Sequence, residues 1–254
     1  MWNDIDVTAN EKMIAETVEY EGHGGKMIRS YLSRPVVEEP IPSLVLISHM
    51  PGWDEWCRET ARRFSQHGYA VACPNIYGDY PGKTPVEASE AMREAGGVPD
   101  ANVMEDCAGS LRYLKEQSWS NGKVGVIGMC SGGRHAFMAA CTVDGFGAAV
   151  DCWGGGIFPK PEELTPARPV APIDYIDRLE IPLMGIFGNE DFSPTKEEVD
   201  RLEAALQEHG KEYEFHRYDG AGHGIWYYHS PLYRREQAMD SWEKVFAFFE
   251  KNLR

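Results

Sequence analysis

Five short runs along the chain are apolar almost without interruption: 43–48 (SLVLIS), 69–73 (YAVAC), 123–128 (KVGVIG), 146–152 (FGAAVDC) and 181–187 (IPLMGIF). Runs of this length predict strands buried on both faces, as in the middle of a parallel sheet. Between them apolar residues recur at helical spacing. Helices are predicted over about 54–67, ending at Gly68; 100–116, with Asp100 as its cap; from the turn after 128 to about 141; and 195–209, ending at Gly210. A last helix over 232–252 places Trp242, Val245, Phe246 and Phe249 on one face. Two segments alternate instead: 212–218 as a strand and 26–33 as an edge strand. The proline-bearing stretches 36–42, 75–99 and 157–180 read as loops, with a weak helix at 86–95 and a short one at 173–178. Buried strands alternating with helices predict a mostly parallel sheet with helices on both faces. Nothing resembles a linker, so the expectation is a single domain over 1–254, with 1–25 as an N-terminal extension or edge element.

Charge and cysteine usage narrow the function more than the fold. A net charge of −15 argues against nucleic acid and anionic membrane surfaces, both of which favour excess Lys and Arg. No apolar run approaches membrane-spanning length, and the start MWNDIDVTANEK lacks the basic-then-apolar pattern of a secretory leader. Six cysteines, at 57, 73, 107, 130, 141 and 152, show no C-x-x-C spacing. The expectation is reduced thiols in a cytoplasmic protein, with neither a zinc site nor a disulfide framework.

One stretch carries specific chemistry. In KVGVIGMCSGGR (123–134) a buried strand runs into Gly128-Met129-Cys130-Ser131-Gly132 and then a helix. G-x-C-x-G has the form of a nucleophile elbow with cysteine at its centre, where the sharp turn requires residues almost without side chains. The thiol would stand at a helix N-terminus, where unpaired N–H groups favour a thiolate. In an open α/β sheet function collects where strands end at their C-terminal side. Asp191 follows 181–187 and His223 follows 212–218, completing the order nucleophile, acid, histidine. His223 would move the proton and Asp191 orient its ring, with Glu190 as the nearest rival acid. The loop after 43–48 would supply the Met50 N–H to an oxyanion hole completed by the Ser131 N–H.

These residues resemble the dienelactone hydrolase family, cysteine-dependent members of the α/β-hydrolase fold without a large lid domain. The carriers are RET at 58–60, GYAVACPNIY at 68–77, SNGKVGVIGMCSGGR at 120–134, GNEDFSP at 188–194 and GAGH at 220–223. The resemblance implies hydrolysis of a small-molecule lactone or ester through a thioester acyl-enzyme, without cofactor or metal. General carboxylesterase or thioesterase activity is the alternative, and a non-catalytic ligand-binding protein on the same scaffold the reading from another class. Two positions depart from the family: His49 stands where a glutamate accepts the thiol proton, and Tyr227 where an arginine grips the substrate carboxylate. His49 is therefore a candidate base or hydrogen-bond donor, and Arg93 a candidate replacement cation. Trp53, Trp153, Trp226 and Tyr227, in or beside strand-end loops, are candidate pocket walls. Monomer and dimer both stay open.

Overall fold

The strand β3 (Ile41–Ile47) is buried along its whole length, and its side chains divide by the period of two. Leu44 and Leu46 enter one apolar layer, Val45 and Ile47 the other. A strand without a polar face must be covered on both sides, and the neighbouring elements do this. The structure is a computed structural model that describes residues 12–254. Its strands are β1 (Met13–Glu21), β2 (Met27–Pro35), β3, β4 (Ala70–Pro74), β5 (Ser120–Met129), β6 (Ala148–Cys152), β7 (Leu183–Gly188) and β8 (Tyr213–Tyr218). They form one eight-stranded sheet in the order β1-β2-β4-β3-β5-β6-β7-β8. From β4 to β8 all pairings are parallel; β2 joins β4, and β1 joins β2, antiparallel.

The helices are α1 (Glu55–Gln66), α2 (Pro85–Glu94), α3 (Asp100–Lys115), α4 (Ser131–Thr142), α5 (Lys196–Glu208) and α6 (Arg235–Leu253). Trp56 and Phe64 of α1 and Trp242, Val245 and Phe249 of α6 cover one face of the sheet. Val103 and Leu111 of α3, Phe137 of α4 and Leu202 of α5 cover the other. This is the expected α/β-hydrolase architecture, and no large lid domain is present among the described residues. No helix among them is long and apolar enough to cross a membrane.

Two expectations are corrected. Residues 26–33 are not an edge: β2 is interior, because β1 pairs along its outer side with an unbroken register from Met13↔Pro35 to Glu21↔Met27. The edge element therefore falls within the expected 1–25 segment, whose first eleven residues lie outside the described ones. Asp100 is also not the cap of α3. Pro99 holds that position, and Asp100, the first helical residue, turns its carboxylate to Arg134 and His135 instead. A buried guanidinium needs a partner more than a helix terminus needs a cap.

Asp151 on β6 is fully buried, its Oδ1 accepting one N–H from Gly154 at 2.8 Å while Oδ2 has no partner. Burial raises its pKa to about 7 against that single hydrogen bond. A raised carboxyl pKa means that the fold prefers the protonated form, so stability falls as pH rises from about 4 to about 7. Asp151→Asn should therefore raise Tm by about 3 °C at pH 8 and by much less at pH 5; a scanning calorimetry trace at each pH checks this.

Candidate active site

Cys130 sits between β5 and α4 with φ 56° and ψ −121°, a strained conformation for a residue with a side chain. The chain around it is too crowded for anything but glycine. A Cβ on Gly128 would lie 1.9 Å from the Gly132 carbonyl oxygen, and one on Gly132 would lie 2.3 Å from that of Ile47. The second approach presses the turn against the end of β3. It sets the Ile47 and Ser48 carbonyls, just before His49 and Met50, against the first turn of α4, which begins at Ser131. Both proposed oxyanion donors, the Met50 and Ser131 N–H groups, thus belong to segments in contact.

His223 and Asp191 come from the loops after β8 and β7. His223 Nδ1 is 2.9 Å from Asp191 Oδ2, and the other carboxylate oxygen accepts the Ser193 N–H at 2.9 Å. Asp191 is buried, so both oxygens are fixed before any ligand arrives. Glu190 faces away: its Oε1 accepts the Gly220 N–H at 3.0 Å and splints the β8 loop. Burial works against a charge on His223. Hydrogen bonds to Asp191 and Cys130, and the charges of both, outweigh it and push the pKa up to about 10. A raised histidine pKa is stability present in full below about 6.5 and lost as pH rises through about 10. The same interactions favour the charged form of the ring beside the sulfur.

Cys130, Ser131 and His223 line a cavity of about 370 Å³. Its far wall carries Arg134, His135 and Arg168, and Phe192 stands at its rim, 80% exposed and 5.7 Å ring to ring from His223. The two arginines differ. Arg134 makes a bidentate pair with Asp100 (2.7 and 2.8 Å). Burial opposes the charge on Asp100, yet hydrogen bonds from His135 and Arg134 hold its pKa at about 2. Arg168, set by a tight turn in which its N–H donates to Thr165 Oγ1, has no carboxylate within ion-pair distance among the described residues. Its Nε is shielded from water without an acceptor. It is the cavity's uncommitted cation. Nothing in the sequence singled it out, because the 157–180 loop has no periodicity to place it.

The other candidates fall elsewhere. Arg93 is exposed on α2, its Nε on Met50 Sδ at 3.1 Å, and does not line the cavity. Trp53 donates to the Cys73 carbonyl at 2.9 Å and borders a separate cleft with Tyr77. Trp153 and Trp226 are fully buried, and Trp226 stacks on Trp242 at 3.9 Å. None of these three tryptophans lines the cavity. Indole area of this size is worth more in a core than on a rim. His49 is buried with both ring nitrogens engaged: Nδ1 with the Tyr227 hydroxyl at 2.9 Å and Nε2 with Asp54 Oδ2 at 3.0 Å. His49, Asp54 and Cys57 hold ligand-type atoms within 4.8 Å of one another, the one such cluster among the described residues. Its imidazole lone pairs and protons are already spent on hydrogen bonds, so it reads as a network.

A model of the dienelactone hydrolase family matches residues 28–253. A Synechocystis protein named "Putative carboxymethylenebutenolidase" is 29% identical over 243 residues, covering 89% of this chain and 93% of its own. Among solved structures, a "Putative Dienelactone Hydrolase" from Klebsiella pneumoniae superposes with TM-score 0.84 at 24% identity, over 94% of this chain and 98% of that one. The metagenomic "Dienelactone Hydrolase-like Promiscuous Phospotriesterase P91" does so with TM-score 0.78 at 19% identity, over 96% and 100%. At these identities the two structures speak to the fold alone.

Proposed function

The chain belongs to the dienelactone hydrolase family, and from that premise we propose that it cleaves a lactone or carboxylic ester through a thioester on Cys130. The observation that carries the reading is the Asp191–His223 pair at 2.9 Å, set beside a cysteine on a glycine-enforced turn in one cavity. Cys130 Sγ attacks the carbonyl carbon while the Met50 and Ser131 N–H groups hold the developing oxyanion. The tetrahedral intermediate collapses as the C–O bond breaks, and His223, an acid at rest, protonates the departing oxygen. The neutral imidazole then takes a proton from water. The hydroxide adds to the thioester carbonyl, and the C–S bond of this second tetrahedral intermediate breaks to release the acid and leave the Cys130 thiolate beside the imidazolium formed from water. Asp191 keeps Nδ1 protonated throughout. The test is intact mass after brief exposure to a slow activated ester: an acyl increment on the wild type, absent from Cys130→Ala, is expected, and equal labelling of both would overturn the assignment.

The cavity favours a substrate with a carboxylate. Glu163 also lines the cavity, but an arginine with no carboxylate at ion-pair distance among the described residues, beside a reactive centre, suits a planar anion. The proposed substrate-binding cation is therefore Arg168, in place of Arg93. For Arg168→Gln, kcat/KM for carboxylate-bearing esters should fall by about 30- to 100-fold, while neutral esters of the same shape change less than about threefold. Equal losses on both would mean that the residue acts only in shaping the loop.

A further inference from the structure

His49, in the loop after β3, and Tyr227, in the loop after β8, bond to each other. A carboxylate can only accept, so Nε2 carries the proton shared with Asp54; in the neutral ring Nδ1 then presents a lone pair, and the Tyr227 hydroxyl donates to it at 2.9 Å. Asp54 is itself fixed: it caps α1, its Oδ1 accepting the Cys57 N–H at 2.9 Å. The rings pack closely, with Tyr227 4.6 Å from Trp56 and 4.9 Å from His49, centre to centre. At its other end Tyr227 belongs to the loop of His223. The turn folds back through Gly224 at φ 72°, the Tyr227 N–H donating to the Gly224 carbonyl, and a Cβ on Gly224 would strike the tyrosine ring at 2.2 Å. The other partner, His49, immediately precedes Met50.

Resting on the function proposed above, we propose that Asp54, His49 and Tyr227 are positioning residues that tie the oxyanion loop to the general-base loop, so that Met50 N–H and His223 are held in register on one substrate carbonyl. The tie is a chain of hydrogen bonds with a fixed sense, from Tyr227 O–H to His49 and from His49 to Asp54, anchored on the first turn of α1. Neither His49 nor Tyr227 lines the cavity, and the Tyr227 hydroxyl is engaged by His49, so the proposed action of the network is through Met50. A base acting directly on the thiol would need a free ring nitrogen, and both are engaged.

Two reactions of the same cysteine separate these roles. Alkylation by iodoacetamide needs the sulfur nucleophile and no oxyanion hole, whereas ester hydrolysis needs both. Tyr227→Phe keeps the packed ring and removes only the hydroxyl. It should lower kcat for an activated ester between about 10- and 100-fold, with KM and the Cys130 alkylation rate each within about twofold of wild type. His49→Ala should do the same, the double variant should be no slower than either single one, and His49→Asn should recover part of kcat because its amide oxygen can accept from Tyr227. Parallel loss of alkylation and hydrolysis would overturn the proposal in favour of direct action on the thiol. Unchanged kcat with a lowered Tm would overturn it in favour of a purely structural network. Failure of the parent reading is separately visible, as undiminished hydrolysis by Cys130→Ala.

Discussion

Cys130→Ala is expected to lower kcat for a p-nitrophenyl ester by roughly 10⁵- to 10⁶-fold, the scale on which removal of a triad nucleophile acts. The size follows from how little can replace it. The other five cysteines, 57, 73, 107, 141 and 152, are buried, and burial pushes each of their thiols up, so none can stand in as a thiolate. Residual turnover would come from the oxyanion donors and His223 acting on water. The fold should survive, since alanine at φ 56° differs from cysteine only by the sulfur and the strain is already present. Comparing Tm and turnover on one preparation checks both statements. Turnover within tenfold of wild type would sink the covalent mechanism.

Asp191→Asn should cost about 10⁴-fold in kcat with KM little changed. The mechanism is tautomeric. The carboxylate accepts from His223 Nδ1 at 2.9 Å and from the Ser193 N–H at 2.9 Å, and it is buried, so no water can replace it. An amide that turns its nitrogen to His223 forces the ring proton to Nε2, where the leaving group needs an acceptor and donor in turn. It also removes one of the two charges that favour the imidazolium, so the upper limb of the pH–rate profile should move down from the alkaline region set by His223 at about 10. Glu190→Gln is the control. That side chain braces the Gly220 N–H, and a loss below about tenfold is expected. Measured kcat for the two variants discriminates between neighbouring acids that the sequence presents as rivals.

Much of this arrangement was legible in the chain before any coordinates. Buried strands are continuous apolar runs because both faces must be dry, and β3, β4, β6 and β7 follow that rule. The elbow was legible because a close backbone approach excludes side chains, which leaves glycines at Gly128 and Gly132 as a written trace. β1 was not legible: its inner neighbour is a strand, its burial is mixed, and Met13–Glu21 shows no clean alternation.

What the sequence by itself determined is the order and burial of the central strands, the turn that lifts Cys130, and the placement of Asp191 and His223 at strand ends. Each is a local rule of period or sterics, and local rules are written in neighbouring residues. What only the tertiary structure decided is partnership. Arg168 rather than Arg93 reaches the cavity, Asp100 spends its charge on Arg134 instead of a helix end, and His49 finds Tyr227 across 178 positions of chain. The physical reason is the same in each case. A charge or a hydrogen bond is satisfied by whatever lies within about 3 Å of it, and at these separations in sequence only the packed sheet brings those atoms together.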